Sequence, residues 1–167
     1  PLDLAEYASA IGQIMGGRKL ELRFEPGRRI TANAGVLLCE VMGIKHNGEK
    51  QFAVVDAAMN DLLRPSLYGA WQRITNVART TAPPATYDVV GPVCESGDFL
   101  AKDRSLAVEA GDLLAVGSAG AYGAVMSSNY NTRTRGAELV VDGDAVYCVR
   151  ERETVTDLMR LEHTLPP

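Results

Sequence analysis

The chain has few of several residue types, and each scarcity excludes something. Of its 167 residues only three are cysteine, two histidine, one tryptophan and four lysine. Cys39, Cys94 and Cys148 are odd in number and show neither CxxC nor Cys/His ligand spacing, so a disulfide framework and a zinc or other metal site are not expected, and a reducing cytoplasm is the compartment that fits. No apolar stretch approaches the ~20 residues of a membrane span. The net charge of −4 comes without any run of basic residues, which argues against nucleic acid held by bulk electrostatics. Neither a membrane nor a nucleic-acid partner is expected. The cationic residues that do occur are unevenly divided, thirteen Arg against four Lys, and the planar guanidinium suits bidentate recognition of carboxylate or phosphate.

Hydrophobic spacing suggests two architectures. From Asp3 to Met15 the residues Leu4, Tyr7, Ala8, Ile11, Ile14 and Met15 recur at helical spacing behind a capping Asp3, and Gly16-Gly17 ends the helix. Lys19 to Phe24 alternates Leu20, Leu22 and Phe24 with charged residues, as a strand would, and runs into the turn-prone Glu25-Pro26-Gly27-Arg28. Beyond Ala34 the pattern becomes β. Segments Val36–Lys45 and Gln51–Asp56 flank His46-Asn47-Gly48-Glu49, whose Asn-Gly step signals a hairpin. Further strands are expected at Tyr87–Val93, Asp112–Val116, Ala137–Val141 and Ala145–Arg150, with a short helix at Leu67–Trp71 and a C-terminal helix at Thr154–Leu161. The reading is a mainly β chain, an antiparallel barrel or sandwich with a few helices, divided near residue 34. Trp71 and Tyr7 are expected in the core, and Cys39 and Cys148 as packed, inert thiols.

Four clusters are richer in polar groups than turns require. In Glu25-Pro26-Gly27-Arg28-Arg29 a rigid turn sets backbone N–H groups beside two guanidinium groups, a chemically sound anion cradle. In DAAMNDLLRPSLY (Asp56–Tyr68), Arg64 and Tyr68 lie four apart and share a helical face, where a cation and a phenol can clamp a carboxylate. GPVCESGD (Gly91–Asp98) puts the Cys94 thiol, able to deliver a proton, beside the Glu95 carboxylate, able to hold an ammonium. In GSAGAYG (Gly117–Gly123), running into SSNYN, small residues let backbone approach a ligand and Tyr122 can stack on a ring or donate to a phosphate. Each alone is also explained by a solvated turn or a buried side chain.

In order and spacing the four together resemble the C-terminal half of diaminopimelate decarboxylases, members of the fold-type III pyridoxal-phosphate decarboxylase family: EPGR, DAxMNDLxRPxLY, GPxCESGD, and GAYG followed by SNYN. The resemblance runs from about Leu22 to Glu138. Ornithine and arginine decarboxylases of the wider group usually carry Asp at the position of Glu95 and lack the RPxLY clamp.

The resemblance implies an N-terminal (β/α)8 barrel that binds pyridoxal 5'-phosphate and a C-terminal β domain that completes the site, commonly in a homodimer with shared active sites. Residues 1–34 would then be the end of the barrel, its last helix and strand, and residues 35–167 the β domain. The carried-over roles are Glu25, Pro26, Gly27, Arg28 and Tyr122 at the cofactor, with Arg28, Arg64, Tyr68, Glu95 and Tyr122 on the substrate, meso-diaminopimelate. Cys94 would return a proton to Cα after carbon dioxide leaves, giving L-lysine. The family's Schiff-base lysine and its phosphate-binding motifs belong to the barrel, and Lys19, Lys45, Lys50 and Lys102 fall in no matching motif. The chain is therefore expected to be part of a longer enzyme and inactive alone. Two alternatives stay open: an ornithine- or arginine-type decarboxylase of the same fold, and a stand-alone β-barrel interaction module.

Overall fold

The computed structural model describes residues 3–166; Pro1, Leu2 and Pro167, at the ends of the two expected domains, lie outside these. Two helices come first, α1 (Leu4–Met15) and α2 (Gly27–Thr31), the second running into a 3-10 turn at Ala32–Ala34. Asp3 caps α1 by accepting from the N–H groups of Ala5 and Glu6, and Gly16 ends it in the left-handed region at φ 53°, the conformation that releases a helix most cheaply at glycine. No residue of α1 is buried, so its apolar stripe is bare. The segment Lys19–Phe24, expected as a strand, joins no sheet. Its alternation is real, but no described strand lies beside it, and Leu20, Leu22 and Phe24 are exposed.

The β structure begins with β1 (Leu37–Asn47) and β2 (Lys50–Val55). They form the hairpin expected from Asn-Gly, with Asn47 paired to Lys50 and Gly48 at φ 60°. Helix α3 (Arg64–Tyr68) starts three residues before the expected Leu67. Pro65 takes the first turn, where its missing N–H costs nothing, and Gly69 at φ 60° stops the helix before Trp71. The chain continues through β3 (Ile74–Asn76), β4 (Ala85–Val90), β5 (Phe99–Leu106), β6 (Leu113–Val116), β7 (Glu138–Asp142), β8 (Ala145–Arg150) and α4 (Val155–Met159). Thr154 and Asp157 cap α4 reciprocally. β3 and β5 lie outside the segments whose pattern predicts strands. β3 is short, and β5 carries Lys102-Asp103-Arg104 at its centre, with Asp103 at φ 51°, which breaks the period-2 pattern.

Six strands form one mainly antiparallel sheet in the order β3-β6-β1-β2-β4-β5, while β7 and β8 pair separately. β1 belongs to both halves of the larger sheet: Leu37–Glu40 pair with β6, and from Val41 onward, across a bulge at Met42, the strand pairs with β2. Such a bulge bends a strand and increases its twist, so β1 carries the sheet around the core in a barrel-like wrap. β2 and β4 are the one parallel pair in that sheet. A parallel return needs a long crossover, and α3 with β3 supplies it.

Alternation sends Cys39 and Val41 of β1 inward to meet Ala53, Val55, Leu62, Val89, Leu100, Leu114 and Val116. The edges, β3 and β5, are bridged by side chains: Asn76 donates to the Ala107 carbonyl at 2.9 Å, and the Arg104 guanidinium lies 4.3 Å from the Trp71 ring centre. Trp71 is therefore a seam residue, 69% exposed, and not the core residue its hydrophobicity suggests. Tyr7 is likewise exposed, edge-on to Phe24 at 6.3 Å. Cys39 is buried as expected, its thiol pushed up to about 12 by burial and by the nearby Asp56 and Asp61. Cys148 is exposed, because both faces of the β7–β8 ribbon are open.

Two costs follow. Leu114→Ala, which empties a fully buried site, lowers unfolding free energy by about 2–5 kcal/mol. Asn76→Ala, which opens the seam, costs about 0.5–1.5 kcal/mol. Urea denaturation reads both, with the exposed-turn variant Glu49→Ala as a control expected within about 0.5 kcal/mol of wild type.

Candidate functional site

Polar links join the Asp56–Tyr68, Gly91–Asp98 and Ser127–Asn131 segments, scattered along the sequence, and the Gly117–Gly123 loop packs on the segment behind the Glu25–Arg29 turn. The first link is a buried carboxylate. Asp98 accepts from the Met59 N–H at 2.7 Å and the Val93 N–H at 2.6 Å, tying the Asp56–Leu63 loop to the strand end that carries Cys94. Glycine is required opposite it, since a Cβ on Gly91 would meet the Asp98 carboxylate and the Ala57 carbonyl within 2.7 Å. The second link is Ser66 of α3, whose hydroxyl donates to the Gly97 carbonyl. Together they fix α3, with Arg64 and Tyr68, beside the turn bearing Cys94 and Glu95.

The third link reaches the Ser128–Asn131 segment. Asn60, almost fully buried, donates through Nδ2 to the Tyr130 carbonyl at 2.7 Å and the Ser128 carbonyl at 3.2 Å, and its own carbonyl accepts from the Ser128 N–H at 3.1 Å. From the other side the Arg135 guanidinium donates to Asn129 at 2.6 Å and to Glu153 at 2.9 Å, while Asn129 donates to Glu153 at 2.7 Å. The backbone N–H of Arg135, then its side chain and that of Asn129, hold the Glu153 carboxyl down at about 2.

The fourth link is backbone against backbone. Gly120 donates to the Ala32 carbonyl at 3.0 Å and Ala119 to the Gly35 carbonyl at 2.9 Å. A Cβ on Gly120 would strike the Thr31 carbonyl, and one on Gly35 would meet the Gly120 nitrogen at 2.7 Å. These glycines let the Tyr122 loop press onto the end of α2 and the segment that follows it.

At the centre the Arg64 guanidinium lies 5.1 Å from the Tyr68 ring centre and 5.2 Å from that of Tyr122. It is a cation flanked by two aromatic rings, within the range of cation–π attraction, and among the described residues it has no carboxylate partner. Tyr122 reaches this position from a left-handed backbone at φ 60°, a strained conformation for a bulky residue that persists only where surrounding structure imposes it. Both rings stand open to solvent. Glu95 is exposed, one oxygen accepting from the Gly97 N–H at 3.4 Å and the other from the Tyr130 hydroxyl at 3.4 Å. Cys94 is an exposed free thiol. Glu25, Pro26, Gly27 and Arg28 are exposed, and no hydrogen bond or ion pair among the described residues joins their side chains to the Arg64 group.

This geometry shows connections that the sequence pattern did not assign, namely Asp98, Ser66, Asn60, Tyr130 and the Arg135–Glu153 pair. Asn60, Ser66, Asp98 and Tyr130 all lie within the sequence motifs, and Asn60 and Asp98 are buried. Their roles depend on burial, which spacing in a loop does not reveal.

Residues 9–120 match the family model described as pyridoxal-dependent decarboxylase, C-terminal sheet domain. The chain belongs to the pyridoxal-dependent decarboxylase family. Among its relatives, the diaminopimelate decarboxylase of Pseudomonas fluorescens is 60% identical over 163 residues, 98% of this chain and 39% of the relative. That of Vibrio cholerae is 56% identical, across 99% of this chain and 40% of the relative. The chain thus spans about two fifths of the relatives it matches. A crystal structure of diaminopimelate decarboxylase from Helicobacter pylori with L-lysine superposes at a TM-score of 0.85 with 44% identity, covering 96% of this chain and 40% of that one. A lysine/ornithine decarboxylase from Vibrio vulnificus, at 21% identity and a TM-score of 0.68, shares the fold. Among the described residues no group of three or more His, Cys, Asp or Glu could hold a metal ion, and no helix is long and apolar enough to cross a membrane.

The Glu153 clamp makes an acid-side prediction. Its carboxyl is held below the ordinary value of 4.5, near 2, so its contribution is present above about pH 4.5 and is lost as pH falls toward 2. Glu153→Gln should flatten that part of the stability–pH curve, as read by thermal melts between pH 2 and 5.

Proposed function

We propose that this chain contributes the C-terminal β domain (35–167) and the end of a (β/α)8 barrel (1–34) to a pyridoxal-phosphate-dependent diaminopimelate decarboxylase, a cytoplasmic homodimer that converts meso-2,6-diaminopimelate to L-lysine and carbon dioxide. The observation that carries this reading is the pair of complementary charges on neighbouring elements. Arg64, flanked by Tyr68 and Tyr122, keeps its N–H donors available for a carboxylate, and Glu95 on the adjoining turn presents a carboxylate suited to an ammonium. A substrate whose far end is itself an amino-acid centre needs both. The far end of ornithine or arginine is cationic only and would leave Arg64 without a partner, at a cost on the order of a few kcal/mol.

The chain's donor set fits the cofactor. Gly27 is open, with nothing within 4 Å of where a Cβ would stand, so its backbone can approach a phosphate. Arg28 offers positive charge there, Tyr122 offers a ring and a hydroxyl, and Glu25 and Pro26 shape the turn. When bound, pyridoxal phosphate supplies the electron sink for the pair left behind as the C–CO2 bond breaks. The chain's own residues do the rest. Arg28 and Arg64 hold substrate carboxylates, Tyr68 and Tyr122 flank the clamp, Glu95 takes the distal ammonium, and Cys94 hands its thiol proton to the carbon that has lost its carboxylate.

The openness of this cluster and the bare stripe of α1 support completion by surfaces that these residues do not supply, as a barrel and a second subunit would provide. In steady-state kinetics of the full-length holoenzyme, Cys94→Ala should lower kcat by about 10²–10⁴-fold, the usual contribution of a positioned acid. Arg64→Ala should lower kcat/KM for meso-diaminopimelate by about 10–150-fold, the weight of one charged hydrogen-bond partner. Unchanged kinetics in both variants would contradict the proposal.

A further inference from the structure

We infer that Tyr130 is a positioning residue for substrate selection, holding the Glu95 carboxylate in the orientation that meets the distal ammonium. The inference rests on the decarboxylase reading above.

Both oxygens of Glu95 are occupied: Oε1 accepts from the Gly97 N–H and Oε2 from the Tyr130 hydroxyl, each at 3.4 Å. An exposed glutamate on a turn otherwise samples several rotamers, and fixing one before a ligand arrives removes an entropic cost of binding. The hydroxyl bond is longer than the ~2.7–2.8 Å usual for O–H···O, so the carboxylate has room to shift toward an incoming cation while keeping its donor. This donor comes from outside the turn, on a segment 35 residues further along the chain.

The backbone around Tyr130 is held by buried side chains although its ring is half exposed. Asn60 grips its carbonyl at 2.7 Å and pins Ser128 through two backbone contacts, while Arg135 and Glu153 secure Asn129 from the opposite side. The next two residues, Asn131 and Thr132, both sit at φ 57°. Strain at a bulky or branched residue is retained where the surroundings require a specific path, and here that path delivers the phenol to Glu95. Asn60 Oδ1 is buried with no partner among the described residues, so the amide is held for its donor side, the side that grips Tyr130.

The test uses the full-length holoenzyme and two ligands: meso-diaminopimelate as substrate, and 2-aminopimelate, which keeps both carboxylates but lacks the distal amine, as a competitive inhibitor. Tyr130→Phe keeps the ring and removes the hydroxyl. It should raise KM for diaminopimelate about 5-fold, the size expected for a long hydrogen bond to a charged group, with kcat within about 2-fold and the inhibition constant of 2-aminopimelate unchanged. In a Glu95→Gln background the same substitution should have no further effect. Equal weakening of both ligands, a loss confined to kcat, no change at all, or an undiminished effect in the Glu95→Gln background would overturn the inference while leaving the decarboxylase reading intact. Failure of the wild-type enzyme to turn over diaminopimelate would instead remove that reading, and the role of Tyr130 with it.

Discussion

The assembly of the candidate site depends on one buried carboxylate. Asp98 accepts backbone N–H groups from Met59 and Val93, on the two loops that leave the neighbouring ends of the parallel strands β2 and β4. Removing its side chain would orphan both donors in a region with little water, and an unsatisfied buried group costs about 1–3 kcal/mol. The arrangement also depends on the absence of a side chain at Gly91, whose Cβ would occupy the carboxylate's place. Once Asp98 has fixed this junction, Ser66 and Asn60 extend it to α3 and to Tyr130, and the glycine contact between residues 35 and 120 brings in the segment after α2.

The barrel-like sheet provides the rigid frame for these loops. Every candidate residue lies outside the strands, on α2, α3 or a connecting loop, with the core formed by β1, β2, β4, β5 and β6 beneath them. Loops that carry chemistry on a packed scaffold are a common division of labour. Here the loops are themselves cross-linked by buried polar groups, so the spacing of Arg64, Glu95 and Tyr122 is set by hydrogen bonds as well as by the sheet. The group remains open on one side, in keeping with a chain that spans about two fifths of its relatives.

The fold was readable from the sequence wherever local chemistry decided it. Asp3 and Gly16 bound α1, Asn47-Gly48 sets the β1–β2 hairpin, and Thr154 with Asp157 starts α4. It was not readable where a partner decides. Lys19–Phe24 alternates like a strand but joins no sheet, and β5 pairs with β4 despite three consecutive charged residues. Trp71 is apolar enough for a core but closes the seam on Arg104, and Cys148, on an open two-stranded ribbon, has no interior to enter. The site showed the same division. The residue types in the four clusters pointed to a carboxylate clamp, an ammonium partner and a proton donor, and the structure places Arg64, Tyr68 and Tyr122 together. The ties from Met59 to Asp98, from Tyr130 to Glu95 and from Asn60 to Tyr130 link residues 35 to 70 positions apart, and no short pattern records them.

The measurement that bears most directly on the central claim is release of labelled carbon dioxide by the full-length holoenzyme from meso-diaminopimelate, L-ornithine and L-arginine at equal concentration. A clamp built from Arg64 and Glu95 predicts preference for diaminopimelate by roughly 10²-fold or more. Turnover of ornithine or arginine at a comparable or greater rate would contradict it.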